Sequence, residues 1–318
     1  MTDPAPVIEP GTAILMYHYV RPPDAPCRVG AGSVDLVTFA SQLDDLARAR
    51  TIVGWPAVAS ALEGGPALPS DACLLTFDDG HDDHHRYVLP MLAERGLPGT
   101  FFVLARDASE GLTVAHRIHV LLAVLTLPQL RDAVVDALAA ADQAAFLAAE
   151  AERAQHPFPD PIDDLKWVLQ RDLLEAAGPV LSRLVEQLVG LEPDIAASLH
   201  LDQRQLRELA DAGMTLGGHT HGHRWLDFIQ PHEVRDEIGA SARQLQRLVP
   251  AGGWPFAYPY GAPPPGPAAV LRPAGFPAAF VATGRSRSDR DRLGRWDAES
   301  LGPRPSQRQQ HDERTAPG

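Results

Sequence analysis

CLLTFDDG, at residues 73–80, is the stretch of sequence that decides the fold. Its apolar part, CLLTF, predicts a short buried strand that runs directly into an Asp-Asp-Gly turn. Two further apolar runs, AILMY (13–17) and TFFVLA (100–105), also predict buried strands, and a short helix is predicted over 87–96. Strand, helix and strand in this order form a βαβ unit, so we expect an α/β fold with a parallel sheet.

The chain on either side of this unit divides into regions of different pattern. Residues 107–200 contain no convincing strand, and their Leu, Ala and Val residues recur at helical spacing, which predicts a helical insertion or cap. The alternation of strand and helix resumes over 201–302, so residues 1–106 and 201–302 are expected to form one discontinuous domain. Residues 303–318 are polar and rich in Pro and Gly, which predicts a disordered tail.

The composition excludes several classes of protein. Hydrophobic residues make up 45% of the chain and charged residues 22%, as in an ordinary globular protein. The formal net charge of −13 argues against a nucleic-acid binder, which needs a basic face. No apolar run reaches the length of a membrane span, and the first residues lack the pattern of an export signal. We therefore expect a cytoplasmic protein that binds neither nucleic acid nor membrane. The sequence leaves the oligomeric state open.

Two adjacent aspartates, Asp78 and Asp79, follow the central predicted strand. On a regular strand their side chains would face opposite sides of the sheet. Gly80 adopts backbone conformations that other residues avoid, so a turn there would direct both carboxylates into one pocket. Active sites of α/β proteins assemble at this C-terminal edge of the strands. The alternative is an ordinary Asp-Gly turn without a chemical role.

A histidine-rich segment, GGHTHGHRWL, occupies residues 217–226 after another predicted strand. His219 and His223 are four residues apart, and one helical turn would place both imidazoles on the same side. Together with a carboxylate they would make a three-ligand metal site that leaves one position for water. The alternative is a cluster of exposed or core histidines. Other nearby histidines are expected to point elsewhere: His221, His81, His84 and His85.

Three separated motifs occur in a fixed order: TFDDG (76–80), HTHGH (219–223) and FAYPYG (256–261). Together they resemble the polysaccharide deacetylase family, also called the NodB-homology domain or carbohydrate esterase family 4. Shorter segments also resemble it: ILMYH (14–18), LPML (89–92), TFFV (100–103) and LRELADAGMTLGGHT (206–220). The resemblance covers roughly 12–106 and 200–297, and the helical insertion lies outside it.

The resemblance implies a fold and a metal site. The implied fold is a distorted (β/α) barrel of the NodB-homology type, here with a helical insertion. The implied cofactor is a divalent metal in a groove at the C-terminal ends of the strands. Zinc is the usual ion, and Co²⁺, Ni²⁺ and Mn²⁺ are the alternatives. The ligands implied by the motifs are Asp79, His219 and His223.

The resemblance also implies roles in amide hydrolysis. Asp78 matches the general base, and Thr220 matches the residue whose hydroxyl braces the histidine loop. Tyr260 matches the residue whose backbone N–H helps to bind the developing oxyanion. These roles agree with the chemistry, because a metal polarises the carbonyl and lowers the pKa of a bound water molecule that then attacks it. The base accepts the proton of that water, and donors stabilise the tetrahedral oxyanion.

The chain departs from the family pattern at two positions. Ala257 stands where the family often has an arginine that braces the base aspartate. Arg295 is either the replacement for that arginine or an ordinary surface residue. The Leu-x-His motif that supplies the family's general acid is absent between residues 283 and 303. His18 is our substitute for this acid, although a structural role for His18 is also open, in which case water or Asp78 protonates the amine.

Three functions remain open from the sequence. The first is removal of an N-acetyl group from an amino sugar, most simply in a glycosylated or nucleotide-linked small molecule, with a small-molecule or glycan substrate. The second is hydrolysis of a non-sugar amide, either by opening a cyclic amide or by removing a formyl or acetyl group. The third is a metal-binding scaffold that has lost turnover.

Overall fold

Strands and helices alternate around one parallel sheet, and the computed structural model describes residues 11–25, 29, 32–171, 173–282, 284 and 289–301. The predicted tail at 303–318 lies outside the described residues. The strands are β1 (Ala13–Tyr17), β2 (Tyr19–Val20), β3 (Ser33–Val34), β4 (Thr51–Ile52), β5 (Ala72–Phe77), β6 (Thr100–Val103), β7 (Thr215–Gly218), β8 (Phe256–Ala257), β9 (Ala279–Val281), β10 (Leu293–Gly294) and β11 (Trp296–Asp297).

The helices of the described residues divide into those around the sheet and those of the insertion. The first set is α1 (Leu36–Ala49), α2 (Trp55–Leu62), α3 (Leu89–Glu94), α10 (Gln203–Asp211), α11 (Pro231–Leu248) and α12 (Ala268–Leu271). The second set is α4 (Val114–Leu121), α5 (Leu127–Ala137), α6 (Ala140–Arg153), α7 (Pro161–Arg171), α8 (Leu174–Leu188) and α9 (Glu192–Leu199). None of these helices is long and apolar enough to cross a membrane.

Within the described residues, eight parallel strands follow one another in the order β10-β9-β8-β7-β6-β5-β1-β11. Only Arg295 separates β10 from β11. This one segment therefore pairs with β9 at its start and with β1 at its end, so that it joins the two edges of the sheet. The result is a nearly closed barrel with surrounding helices, which confirms the expected distorted (β/α) barrel.

Alternation along the strands separates the inside of the barrel from the outside. Ile14, Leu74 and Phe280 belong to an apolar cluster that includes Trp55 of α2. Because strands from opposite sides of the barrel contribute to it, this cluster fills the interior. The neighbouring strand residues pack instead with the outer helices, as Leu15, Leu75 and Phe101 do. Asp78 continues the inward face of β5, so it lies at the mouth of the barrel.

The insertion has an apolar core of its own. Residues of α4 to α9 form this core, as the periodicity over 107–200 predicts, and no strand occurs among the described residues of that range. Three buried residues from the C-terminal edge of the barrel complete it, namely Tyr19, Trp225 and Ala262. The insertion therefore packs directly against the edge where the Asp and His motifs lie. The division of the chain into domains at 106 and 201 remains a prediction.

Candidate metal centre

The turn after β5 determines where the two aspartates lie. Asp79 has a φ of 73° and Gly80 a φ of 67°, so both residues are in the left-handed region. A Cβ atom on Gly80 would lie 3.3 Å from the side chain of Val103, which leaves little room for any other residue. The turn therefore begins at Asp79 itself, one residue earlier than expected. Asp78 and Asp79 both raise the pKa of His219, so both carboxylates act on one pocket.

Asp79, His219 and His223 are brought together as a buried group. Oδ1 of Asp79 lies 3.2 Å from Nε2 of each histidine. Ligand atoms of a tetrahedral ion, each about 2.0–2.1 Å from it, are about 3.3 Å apart, so this spacing fits a metal site. Nδ1 of His219 donates to the carbonyl oxygen of Ala257 at 2.8 Å, which leaves its Nε2 lone pair directed at Asp79.

The loop that carries the two histidines is not the helical turn that the sequence analysis expected. Thr220 and His223 have φ values of 67° and 53°, and both lie in the left-handed region, which a helix does not use. The backbone N–H of His223 donates to Oγ1 of Thr220 at 3.1 Å, so the threonine does brace the loop. Glu237 of α11 accepts from the next two amides, at His221 and Gly222, at 2.7 Å each.

The charges in the pocket favour an ionised Asp79 and a neutral His223, the protonation states that a metal needs, but they favour a proton on His219. Burial alone would raise the pKa of Asp79, but the surrounding histidines, led by His223, hold it well below its usual value. Burial lowers the pKa of His223 to about 4, against the opposing effect of Asp79. Burial also disfavours a charge on His219, but Asp79 and Asp78 outweigh this and raise its pKa. At neutral pH the pocket therefore holds an ionised carboxylate beside a neutral His223.

Asp78 is bound by Arg295. Nη1 and Nη2 of Arg295 donate to the two carboxylate oxygens of Asp78 at 2.6 and 2.7 Å. Burial would raise the pKa of Asp78, but Arg295 and then His219 lower it below its usual value. Arg295 is therefore the brace that Ala257 cannot provide, and its interpretation as a surface residue is wrong, because it is 1% exposed.

His18 and Tyr260 both lie near this pocket. His18 is half-buried after β1, and its charge contributes to the lowered pKa of Asp78. Tyr260 has a φ of 58°, and its ring centroid is 4.8 Å from that of His223. The same ring stacks on Trp225 at 3.9 Å, and its hydroxyl accepts from Nε2 of Gln170 in α7 at 2.7 Å.

The prediction that His81 points away from the site is wrong. Its Nε2 lies 3.4 Å from Oδ2 of Asp79, because the left-handed turn at Asp79 and Gly80 folds the chain back toward the carboxylate. His116 of α4 approaches the same oxygen at 3.3 Å and was not predicted to be part of the site. The signal for it was the spacing of His116 and His119, which lie three residues apart on one helix.

Three other histidines, His221, His85 and His84, point elsewhere, as expected. His221 contacts the Ala105 carbonyl and Glu110, and His85 contacts Glu208. His84 donates from Nε2 to the carbonyl oxygen of His18.

Comparisons with solved structures agree with this fold. IcaB from Ammonifex degensii is 19% identical, with a TM-score of 0.54 over 95% of this chain and 96% of that one. The Streptococcus pyogenes deacetylase PplD, in complex with acetate, is 15% identical, with a TM-score of 0.54 over 95% and 100%. A de-N-acetylase from Aggregatibacter actinomycetemcomitans is 15% identical, with a TM-score of 0.53 over 92% and 96%. At these identities the likeness shows a shared fold.

Family membership rests on the sequence. The polysaccharide deacetylase family matches residues 66–279, which is more than half of the chain. No curated protein matches this chain. Members of the family generally use a divalent metal, and the buried group of Asp79, His219 and His223 is a site where this chain could hold one. The chain therefore belongs to the polysaccharide deacetylase family and is a deacetylase of the hydrolase class.

Proposed function

We propose that this deacetylase uses a divalent metal, held by Asp79, His219 and His223, to remove an N-acetyl group from an amino sugar. The observation that carries the proposal is the 3.2 Å spacing between Oδ1 of Asp79 and both imidazoles, beside the pairing of Asp78 with Arg295. Two imidazole nitrogens and a carboxylate suit Zn²⁺ best, and Co²⁺, Ni²⁺ and Mn²⁺ are the alternatives.

Each residue of the pocket has a proposed role. When bound, the ion would polarise the amide carbonyl and make a water molecule more acidic. Asp78, which Arg295 keeps ionised, accepts the proton of the attacking water at a carboxylate oxygen. The backbone N–H of Tyr260 donates to the developing oxyanion. His18 donates a proton to the nitrogen of the leaving amine.

The insertion supports a short substrate. Gln170 and Lys166 of α7 both reach Tyr260: Gln170 by the hydrogen bond to its hydroxyl, and Lys166 with Nζ 5.8 Å from its ring centroid. Helix α7 therefore lies beside the pocket, and we propose that it limits the length of the sugar chain that can enter. We propose a soluble amino-sugar derivative, either glycosylated or linked to a nucleotide, or the end of a glycan.

The test is acetate release from a panel of N-acetylated sugars, short oligosaccharides, nucleotide-sugars, and non-sugar acetamides and formamides, with each of the four ions added. We expect release from sugars, and a fall in kcat of about 10²–10⁴-fold for Asp78→Asn. His85→Gln, at a half-buried histidine that contacts Glu208 outside the pocket, is the matched control.

Each contrary result overturns a different part of the proposal. Activity confined to non-sugar amides overturns the substrate class. Unchanged kcat in the Asp78→Asn protein overturns the base. Tight metal binding without turnover on any compound favours the scaffold hypothesis, which the Arg295 brace otherwise weakens.

A further inference from the structure

A second pair of buried histidines faces Asp79 from the side opposite His219 and His223. Oδ1 of Asp79 contacts the first pair, whereas Oδ2 lies 3.4 Å from Nε2 of His81 and 3.3 Å from Nε2 of His116. His81 and His116 are both 0% exposed. One carboxylate therefore has two imidazoles at each of its oxygens.

The contacts between the second pair and Asp79 are not hydrogen bonds. Both ring nitrogens of His81, and Nε2 of His116, are buried without a hydrogen-bond partner among the described residues. Buried imidazole nitrogens normally have such a partner, so this arrangement needs an explanation. The distances of 3.3 and 3.4 Å match the separation of about 3.3 Å between two ligands of a tetrahedral ion.

The two rings are held in place by their surroundings. Nδ1 of His116 is hydrogen-bonded to the Thr113 hydroxyl at 2.8 Å, which leaves Nε2 as the atom that faces Asp79. The His81 ring stacks on Tyr19, with centroids 4.0 Å apart, and on His200, at 5.6 Å. Metal-binding histidines commonly have their other nitrogen held in this way, as His116 does.

We propose that the protein binds a second divalent cation, held by Asp79, His81 and His116, with the carboxylate of Asp79 bridging the two ions. The proposal rests on the proposed function, because Asp79 is shared with the first site. Carboxylate bridges are found in two-metal hydrolases, where the ions lie about 3.5–4 Å apart. The donor set again suits Zn²⁺ or Co²⁺.

The second site also joins the insertion to the barrel. His81 follows β5 of the barrel, whereas His116 belongs to α4 of the insertion. His200, at the end of α9, has two buried ring nitrogens without a hydrogen-bond partner in the part of the chain that the structure describes. Its ring centroid lies 4.6 Å from that of His116. An ion at this point would tie α4 to the turn that carries the proposed base.

The test is the metal content of the full-length protein, stripped with a chelator, reloaded with Zn²⁺, dialysed and measured by mass spectrometry. We expect two ions per chain in the wild type and in the control His85→Gln. We expect one ion in His116→Gln, one in His81→Gln and one in His219→Gln, and none in Asp79→Asn. Thermal melting of each variant checks that it is folded. Loading with Co²⁺ gives a second readout, because two bridged ions are magnetically coupled.

The outcomes separate the two proposals. One ion in the wild type, kept in His116→Gln and lost in His219→Gln, overturns the second site and leaves the first intact. Two ions whose number does not change in His81→Gln or His116→Gln also overturn it. An unchanged number of ions in His219→Gln, with a loss in His116→Gln, overturns the first site instead. If His116→Gln does not fold, His81→Gln and the coupling in the Co²⁺ protein decide.

Discussion

Arg295 and Asp78 form a buried bidentate ion pair at the seam where the barrel closes. Their side chains are 1% and 2% exposed, and the two hydrogen bonds measure 2.6 and 2.7 Å. Arg295 is the single residue between β10 and β11, and its Nε also donates to the carbonyl oxygen of Val281 in β9. The segment that closes the barrel thus also supplies the cation that braces the proposed base.

Arg295→Met is expected to lower the free energy of unfolding by about 3–5 kcal/mol, because it leaves the Asp78 carboxylate buried and unpaired. Adding Asp78→Asn to that variant should recover part of the loss, since the unpaired charge is then gone. Urea unfolding of the two single variants and the double variant measures this coupling. Purely additive losses would contradict it.

Arg131→Met is the control for this pair. Arg131 also binds a carboxylate with two hydrogen bonds of 2.7 Å, to Glu150, but the two side chains are 34% and 38% exposed. Because solvent screens such a pair, we expect Arg131→Met to lower the free energy of unfolding by about 1 kcal/mol or less.

Gly80→Ala is expected to disturb the candidate metal site through the backbone. The residue has a φ of 67°, and an added Cβ would press on Val103. We therefore expect the free energy of unfolding, measured by urea unfolding, to fall by more than about 2 kcal/mol. Gly64→Ala is the control, because Gly64 has a φ of 85° with nothing within 4 Å of its Cβ position. We expect its free energy of unfolding to fall by about 1 kcal/mol, which is the cost of placing alanine in a left-handed backbone conformation. Equal losses in the two variants would show that Val103 does not matter.

Local patterns were sufficient to predict the strands that carry the aspartates and histidines. The apolar runs at 13–17 and 73–77 coincide with β1 and with all but the first residue of β5. The two-residue strands β4, β10 and β11 were not predicted, because so short a segment carries no periodicity. Their existence depends on pairing with β5, β9 and β1, which only the folded barrel provides.

The candidate site shows the same limit. Asp79, His219 and His223 fall in recognisable motifs, whereas His116 is distant in sequence and lies in an insertion outside the family resemblance. Its approach to Asp79 depends on how α4 packs against the barrel. His219 and His223 both approach Asp79, but the loop between them is not the helical turn that a spacing of four suggests, because its left-handed residues follow from tertiary contacts.

Tyr260→Phe is expected to loosen the contact between the insertion and the barrel. The change removes the hydroxyl that accepts from Gln170, and Gln170 is 5% exposed, so its amide group would lose a partner without gaining water. We expect the free energy of unfolding, measured with urea, to fall by about 1–2 kcal/mol, and hydrogen exchange in α7 to become faster.

Tyr258→Phe is the matched control for this change. The Tyr258 hydroxyl is buried and has no hydrogen-bond partner within the described ranges, so its removal should be neutral or stabilising. If both variants lose the same free energy, the hydrogen bond to Gln170 contributes nothing.

Glu192→Gln is expected to destabilise the insertion in a pH-dependent way. The buried carboxylate of Glu192 accepts from the Leu112 amide, Arg117 and Ser182, and these contacts outweigh burial and lower its pKa below the ordinary 4.5. Because its pKa is lower in the folded state, the ionised carboxylate stabilises the fold fully at pH values above the unfolded-state pKa. This stabilisation is lost as the pH falls through the folded-state pKa. We expect a loss of about 2–4 kcal/mol at pH 7, because Arg117 is left without its ion pair.

The difference between wild type and Glu192→Gln should therefore shrink as the pH falls from about 4.5, the unfolded value, through the lower pKa of the folded state, below which the carboxyl is neutral in the folded protein as well. Urea unfolding of both proteins from pH 3 to pH 7 measures this difference directly. Glu208→Gln is the control, because Arg204 and His85 also lower the pKa of Glu208, but its side chain is 43% exposed and its ion pair with Arg204 is at the surface. Solvent screens that pair, so its removal should make little difference at any pH. A constant difference for Glu192→Gln across the pH range would mean that the shape of the side chain, and not its charge, holds α9 to the start of α4.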